Sequence, residues 1–152
     1  MQQQSDCHGG EIVAVSSSAR KGIPKLPQSD IRLIPDHGVE GDRHAGSRNR
    51  QVSLLEHEVL DELSALGMPV GPGVLAENVL VRGLPFALLC PGDRLHAGEV
   101  ILEVVEPRTP CRQLTAVDAR LPSAIEGRAG ILCRVLVGGR LAPGDRIMRT
   151  NQ

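Results

Sequence analysis

Short apolar segments separated by glycine and proline dominate the chain. In EIVAVSSS, which begins at Glu11, Ile12 and Ala14 alternate with Val13 and Val15, as in a strand with two unlike faces. The same pattern predicts further strands at residues 31–34, 74–81, 86–90, 99–106, 131–137 and 145–148. Many short strands with turns between them are typical of a β-sandwich or a β-barrel.

A helical period occurs clearly once, in residues 51–66. Apolar side chains recur there at intervals of three and four residues from Leu55 onward. Ser53 and Glu56 have the spacing of a capping box, and Gly67 supplies a stop. The pattern predicts one main α-helix that begins near Ser53.

Two near copies, PGDRL at 91–95 and PGDRI at 143–147, place Pro-Gly at the centre of a type II turn that leads into a strand. A third GDR, at 41–43, lacks the proline and lies in a polar, glycine-punctuated run, 36–50. Long polar loops of compact domains often carry function. Residues 36–50 are therefore predicted to form a functional loop, whereas the PGDR segments are predicted to be structural turns.

The 152 residues predict a polar N-terminal tail, residues 1–10, and a single domain, residues 11–150. The net charge of −1 has no long single-sign block, and Phe86 is the only aromatic residue, so binding of nucleic acid is not expected. No segment has the length of a membrane helix or the pattern of a signal peptide, so no membrane association and a cytoplasmic location are expected.

Among the four cysteines, Cys111 has the setting best suited to chemistry. It follows the apolar segment 100–105 and stands directly after Pro110, with Arg108 and Arg112 close by. Nearby guanidinium charge favours the thiolate, which is the form that binds soft metals or accepts sulfur. The alternative is a buried structural cysteine. The neighbouring arginines argue against that alternative.

The other cysteines are weaker candidates. Cys133 shares a strand face with Ile131 and Val135 and is predicted to lie in the core. Cys90 ends an apolar run and is predicted to be packed as well, and Cys7 lies in the tail. Wide separation and the absence of a secretory signal make a disulfide framework improbable.

Basic residues in the polar loops are candidates for binding an anion, because guanidinium groups pair with phosphate. They are Arg20, Lys21, Lys25, Arg43, Arg48 and Arg50, with Asp42 and His44 beside Arg43. For each, the alternative is a solvated surface charge. Glu77 and Asn78 stand in an apolar segment, where buried polar groups need partners. They either orient a ligand or bridge two loops.

Other kinds of site have less support. His37, His44 and Cys111 could supply three zinc ligands, but no ligand pair has the short, regular spacing of zinc modules. The sequence contains no GxGxxG, Walker, GxSxG or HExxH motif. It therefore gives no support to dinucleotide, nucleotide, esterase or zinc-protease functions.

Three ordered blocks resemble the MOSC family, the domain similar to the C-terminal part of molybdenum cofactor sulfurases. They are VEGDRHAG followed by RQVSLL, then GVLAENVLV, then EVVEPRTPC with a closing PGDRI. Each block alone is unspecific, but their ordered combination is specific and spans about residues 10 to 149. The resemblance implies a mostly β fold, a MOSC-type β-barrel with one main α-helix and short helical turns, with residues 11–150 as a single MOSC domain.

The resemblance also implies a molybdenum cofactor of the molybdopterin type and a role for Cys111. In the amidoxime-reducing members the corresponding cysteine binds molybdenum, and in sulfurases it is thought to carry sulfur to the cofactor. The residues that would hold the pterin and its phosphate are Lys21, Arg43, Arg50 and Asn78. Their neighbours His44, Arg108 and Arg112 complete the set of candidate cofactor-binding residues.

Three functions remain open from the sequence. The first is a molybdenum-cofactor-binding or sulfur-relay protein, the second a small molybdenum-dependent reductase of N-hydroxylated compounds, and the third a non-catalytic binding module with a structural cysteine. No pyridoxal phosphate is expected, since the chain has no room for a desulfurase domain. Sulfur would therefore come from a separate cysteine desulfurase, or electrons from a separate electron-donor protein. The first two functions predict a basic cavity around Cys111, and the third predicts a packed, dry cysteine.

Overall fold

Seven strands close into a β-barrel in the computed structural model, which describes residues 8–22 and 24–150. The barrel strands are β1 (Gly9–Ser17), β5 (Val52–Glu56), β6 (Val79–Arg82), β7 (Arg94–Ala97), β8 (Val100–Pro107), β9 (Ile131–Val137) and β11 (Arg146–Thr150). They are ordered β11-β7-β8-β9-β5-β6-β1, and pairing of β1 with β11 closes the barrel. The mostly β barrel predicted from the sequence is confirmed.

The remaining elements lie outside the barrel wall. Strand β2 (Leu26–Gln28) extends the large sheet beside β1, and a small sheet holds β3 (Ile31–Ile34), β4 (Gly38–Val39) and β10 (Gly139–Leu141). The helices are α1 (His57–Ala65), the short α2 (Leu121–Ala124), and two 3₁₀ helices, Phe86–Leu88 and Arg112–Ala116. Within the described residues, no helix combines the length and the apolar character needed to cross a membrane.

The main helix begins later than the sequence predicted. Ser53, predicted to cap it, lies inside β5, and α1 starts at His57 after Glu56. Strand β5 is almost fully buried, because it pairs with β9 on one side and runs parallel to β6 on the other. The capping-box prediction was wrong because pairing with two neighbouring strands outweighs a local helix signal.

Two further segments also differ from their predicted form. Residues 86–90 were predicted to be a strand, but Phe86–Leu88 form a 3₁₀ turn, and Phe86 is buried in the hydrophobic cluster of the barrel interior. The predicted strand 74–81 is regular only from Val79, because residues 74–77 form a turn. Apolar runs this short look alike in a strand and in a packed turn, so periodicity could not separate them.

The two PGDR segments form the predicted turns, with Gly92 at φ 91° and Gly144 at φ 94°. In each turn the aspartate accepts a backbone N–H from the residue three positions before it, at 2.8 Å for Asp93 and 2.9 Å for Asp145. The strands that follow, β7 and β11, pair with each other. The repeated motif therefore builds the region where the barrel closes.

Two hydrophobic clusters fill the molecule. One occupies the barrel interior and includes Ile12, Val79, Val104 and Cys133. The other lies between the barrel wall and the helices and includes Leu63, Leu75 and Leu114. Cys133 is completely buried, as its strand face predicted. Cys111 packs against the second cluster.

Candidate functional site

Strand registers bring distant segments to one region of the barrel. Pro107 aligns with Ile131, Ile131 with Leu54, Leu54 with Val79, and Val79 with Val15. The end of β8, the end of β1 and the start of β6 therefore lie in one row across the sheet. The loops that continue from these points carry Cys111, the basic residues near position 20, and the 73–78 turn.

A cavity of about 480 Å³ lies between these loops, with Cys111 in its wall. Its lining residues are Ala19, Lys21, Gly22, Arg43, His44, Arg50, Ala76, Arg108, Cys111 and Gln113. Of these, four are Lys or Arg and none is Asp or Glu. The cavity is therefore suited to an anion that also presents a soft atom to a thiol.

Cys111 is half-buried, unlike the packed, dry cysteine that a structural role predicts. It directly precedes the 3₁₀ helix Arg112–Ala116, so its backbone is held where β8 ends and the helix begins. One side of the residue packs against the second hydrophobic cluster, and the other reaches the cavity. Cys111 is therefore held in the cavity wall by a backbone that a strand and a 3₁₀ helix fix on either side.

The other described cysteines lie away from the cavity. Cys133 is in the barrel core, where burial raises the pKa of its thiol far above the usual value. Cys90, predicted to be packed, is exposed, because the run that it ends is a 3₁₀ turn at the surface. Cys7 lies outside the described residues. Both Cys90 and Cys133 therefore serve as internal comparisons for Cys111.

Arg108 forms the buried floor of the cavity, with 7% of its surface exposed. Its Nη2 donates to the carbonyl oxygen of Leu75 at 2.6 Å, whereas Nη1 has no hydrogen-bond partner among the described residues. Burial lowers the pKa of Arg108 and nearby Glu77 opposes that shift, but an arginine keeps its charge in proteins. A buried donor without a partner is costly, so this nitrogen is suited to binding a negatively charged ligand group.

A buried ion pair supports the opposite wall. Lys25, 1% exposed, places its Nζ 2.7 Å from Asp42 Oδ2 and 2.9 Å from His44 Nδ1. Asp42 also accepts backbone N–H groups of Ser18 and His44, at 2.9 and 3.2 Å. Burial alone would raise the pKa of Asp42, but the hydrogen bond from Lys25 and the bond from Ser18 hold it below the usual value. The carboxylate is thus ionised and ties three loop segments together.

His44 is uncharged at neutral pH. Burial lowers its pKa to about 4, and the positive charges of Lys25 and Arg43 act in the same direction. The imidazole lines the cavity between these cations. It therefore contributes hydrogen bonding to the site and no charge.

The turn between α1 and β6 supplies a second buried carboxyl group, that of Glu77. Its Oε1 accepts the backbone N–H of Gly73, and Oε2 has no partner among the described residues. Burial raises the pKa of Glu77 to about 7, against the opposing effect of hydrogen bonds and of Arg108. Next to it, Ala76 lines the cavity with φ 64°, a conformation that non-glycine residues seldom adopt. Such strain concentrates at functional sites.

The outer rim of the cavity is built by Arg43, Arg50 and Lys21. Arg43 donates Nη1 to the carbonyl oxygens of Arg20, at 3.0 Å, and of Gly22, so it also holds the loop after β1. Arg50 and Lys21 are exposed at the mouth. Their charges can therefore reach a ligand that enters the cavity.

Two predicted cofactor-binding residues do not line the cavity. The amide of Asn78 accepts the backbone N–H of Ser53 and donates to the carbonyl oxygen of Ser16, both at 3.1 Å. It bridges β5 and β1 and is 1% exposed. Arg112 is exposed and is not among the residues that line the cavity. The structure brings together the other five candidates with Cys111.

Sequence reasoning placed Lys25 among the solvated loop charges or the anion-binding residues, and missed its burial. Its signal is weak, because LPQ after Lys25 and KGIP before it indicate only an irregular segment. The structure buries it because Gly73 approaches closely: a Cβ on Gly73 would lie 2.2 Å from the carbonyl oxygen of Lys25. Only a glycine at position 73 allows this contact between the two loops.

Elsewhere, an open depression of about 830 Å³ lies along the small sheet and is larger than the Cys111 cavity. Its walls mix both signs of charge, as with Arg32, Glu40 and Glu99, and Arg140 there is paired with Asp30 at 2.8 Å. Across the described part of the chain, no three His, Cys, Asp or Glu side chains converge as a metal site. The Cys111 cavity is therefore the better candidate for chemistry.

The model of the MOSC domain matches residues 41–148. The "uncharacterized protein YflK" of Bacillus subtilis (strain 168) is 30% identical over 137 residues, which is 83% of this chain and 62% of that protein. A protein of Gibberella moniliformis named "Reductase" is 33% identical over 124 residues, 72% of this chain and 22% of that protein. The chain thus spans less than two thirds of either relative.

Solved structures with the same fold cover almost the whole chain. YuaD from Bacillus subtilis superimposes with a TM-score of 0.85 at 22% identity, over 97% of this chain and 99% of that one. YiiM from Geobacillus stearothermophilus gives a TM-score of 0.71 at 25% identity, over 93% of this chain and 73% of that one. This chain therefore shares its fold with YuaD and YiiM.

Proposed function

This chain belongs to the MOSC domain family, and from that membership we propose that it binds a molybdenum cofactor of the molybdopterin type beside Cys111. The thiolate of Cys111 would serve as metal ligand or sulfur carrier. One observation carries the proposal: a half-buried cysteine lies in a cavity lined by four cationic side chains and by no carboxylate. Family members are linked to molybdenum-cofactor-associated proteins.

The residues present fit such a group. Thiolate is a soft ligand of the kind molybdenum accepts, and the buried Nη1 of Arg108 supplies a donor that lacks a protein partner. Arg43, Arg50 and Lys21 would bind the phosphate, and His44 would donate a hydrogen bond beside them. When bound, the cofactor would supply redox-active metal and labile sulfur. The protein's own part is to bind, orient and partly desolvate it.

In a sulfur relay, the Cys111 thiolate attacks the outer sulfur of a donor persulfide. A new S–S bond forms on Cys111, the donor's S–S bond breaks, and the donor cysteine leaves as a thiolate, so no net oxidant is needed. The donor would be a separate cysteine desulfurase. The attack requires the thiolate form of Cys111, because a neutral thiol is a poor nucleophile.

A second candidate is a molybdenum-dependent reductase of N-hydroxylated compounds. The observation that favours it is the 33% identity to the Gibberella moniliformis protein named "Reductase". This chain corresponds to 22% of that protein, so an electron-donor protein would have to act with it. Both candidates use the same cavity and Cys111, and the cytoplasmic location remains an expectation from the sequence.

The first test compares two exposed arginines of the same loop. Arg50 lines the cavity, and Arg48 does not. We expect Arg50→Ala to weaken cofactor retention about ten- to hundredfold, since a hydrogen bond to a charged group contributes about 1.5–3 kcal/mol. Arg48→Ala is the matched control and should change it little. Molybdenum and pterin content, measured after purification from a cofactor-competent host, are the readouts; equal losses in the two variants would contradict the placement.

The second test uses the three described cysteines in one labelling experiment. Native alkylation followed by mass spectrometry should modify Cys90 and Cys111 and leave Cys133 unmodified, because Cys133 is completely buried. Cofactor bound in the cavity should slow modification of Cys111 severalfold and leave that of Cys90 unchanged. Equal protection of Cys90, or none at Cys111, would argue against a ligand beside Cys111.

A further inference from the structure

His44 lies at the junction of the buried ion pair and the cavity, because its ring contacts Lys25 and also lines the cavity. Its Nδ1 is 2.9 Å from Lys25 Nζ, and about 30% of its side chain remains exposed. The same ring lines the cavity with Arg43, Arg50 and Arg108. Which ring nitrogen carries the proton therefore decides what the cavity offers to a ligand.

The contacts of Nδ1 determine the position of that proton. Burial lowers the pKa of Lys25, but the hydrogen bond to the carboxylate of Asp42 at 2.7 Å favours the charged ammonium. An ammonium has three donors and no acceptor, so Nδ1 accepts from Lys25 and carries no proton itself. Asp42 does not compete for an Nδ1 proton, because its Oδ2 lies 3.8 Å from Nδ1. Asp42 instead holds the Lys25 ammonium at 2.7 Å and the His44 backbone N–H at 3.2 Å. The proton of the uncharged ring is thus left on Nε2.

We infer that Lys25 and Asp42 are positioning residues that fix His44 as its Nε2–H tautomer, making it an uncharged hydrogen-bond donor for a tetrahedral oxyanion in the cavity. The inference deepens the proposed function and rests on it for the identity of the ligand, which would be the phosphate of a pterin cofactor. An inorganic oxyanion has the same chemistry. In either case an unprotonated Nε2 would repel the anion with its lone pair. The Lys25–Asp42 pair keeps Nε2 protonated, because Lys25 donates to Nδ1.

The alternative is that the Lys25–Asp42–His44 cluster only joins loops. It predicts the same tautomer, because the Lys25 contact is unchanged, but it predicts that replacing His44 alters stability and leaves the affinity for an anion unchanged. The geometry favours the positioning role, because Asp42 already ties Ser18 and His44 through backbone bonds that need no imidazole. The contact from Lys25 to Nδ1, at 2.9 Å, adds a side-chain link between the loops and also defines the ring state of His44.

The direct test is nitrogen NMR of the intact ¹⁵N-labelled protein at neutral pH. Long-range proton–nitrogen spectra should show His44 with a protonated Nε2 and an unprotonated Nδ1, assigned by the loss of one pattern in His44→Gln. A protonated Nδ1, a tautomer mixture or an imidazolium would overturn the inference. This measurement needs no cofactor and no variant with altered Lys25.

The binding test uses sulfate as the probe, measured by calorimetry on cofactor-free protein. His44→Ala should weaken sulfate binding about tenfold. His44→Gln should retain most of the affinity, since its amide nitrogen can replace Nε2 as a donor. His37→Gln, at a half-buried histidine outside the cavity lining, is the matched control and should bind as the natural protein does. Equal weakening by Ala and Gln at position 44, or none by either, would overturn the inference.

A third experiment distinguishes a cofactor phosphate from an inorganic oxyanion as the ligand. It compares protein from a cofactor-competent host with cofactor-free protein. A shift of the His44 Nε2-bound proton on loading supports contact with the cofactor. If protein from the cofactor-competent host contains no pterin but sulfate binding depends on His44, the proposed function is contradicted and the inference about His44 is supported. If pterin is bound but Nδ1 of His44 carries the proton, the inference about His44 is contradicted and the proposed function is supported.

Discussion

Replacing Cys111 by serine is expected to abolish molybdenum retention and persulfide formation and to leave thermal stability nearly unchanged. The substitution exchanges sulfur for oxygen at a half-buried position in the wall of a polar cavity. A hydroxyl there can meet water or cavity groups, so folding loses little. An alcohol is a poor ligand for a soft metal and cannot carry sulfane sulfur, so the chemistry is lost. Metal analysis, persulfide-specific labelling and calorimetry measure the three quantities.

Cys133→Ser exchanges the same atoms and should have the opposite outcome. Cys133 is completely buried among aliphatic side chains of the barrel interior. A hydroxyl without a partner there should lower the free energy of unfolding by about 1–3 kcal/mol. Ligand retention by the folded fraction should stay as in the natural protein. A large stability loss at Cys111 with unchanged ligand binding would favour a structural cysteine over both proposed functions.

Glu77→Gln is expected to change how stability depends on pH. Glu77 has a folded-state pKa raised from 4.5 to about 7 by burial, so folding favours its protonated form. That contribution is complete below about pH 4.5 and is lost as pH rises through 7. Glutamine does not titrate. Between pH 4 and 8 the variant should therefore gain about 3 kcal/mol relative to the natural protein, since one pKa unit corresponds to ~1.4 kcal/mol.

Chemical unfolding followed by circular dichroism at several pH values measures this difference, because the chain has no Trp or Tyr to report by fluorescence. Glu126→Gln removes a carboxylate from an exposed position and is the matched control. The decisive quantity is the change in the difference with pH, which is independent of any constant cost of placing an amide in the Glu77 site. Parallel curves for Glu77→Gln and the natural protein would show that folding does not change the pKa of Glu77.

Much of the barrel could be predicted from the sequence, because strand formation there follows apolar patterning. Strands β3 and β9 have the predicted bounds, and β8 differs by one residue at each end. The two PGDR turns also follow from local chemistry, since glycine accepts the positive φ that such turns need. Ser53 was misassigned because pairing with neighbouring strands outweighs its local helix-capping pattern. Phe86 was misassigned because a short apolar run can also form a turn that is buried in the core.

Part of the candidate site could also be predicted from the sequence, and part depended on the fold. The position of Cys111 after a strand and near basic residues was visible in the sequence, and the structure places it with Arg43, Arg50, Arg108 and Lys21. Asn78 illustrates the limit: an amide in an apolar segment must find partners, but whether these are a ligand or two strands depends on the fold. In the structure they are the backbones of Ser53 and Ser16.

By itself, then, the sequence determined the strand-rich class and the two PGDR turns, and it predicted that Cys111 follows a strand among basic residues, because these features depend on neighbours within a few residues. Only the tertiary structure decided that Lys25 is buried against Asp42 and His44, and that Arg108 keeps a donor without a protein partner. Lys25 and Asp42 are separated by 17 positions, and Leu75 and Arg108 by 33. Such contacts follow from strand register and from the close approach of Gly73 to Lys25, which no local pattern encodes.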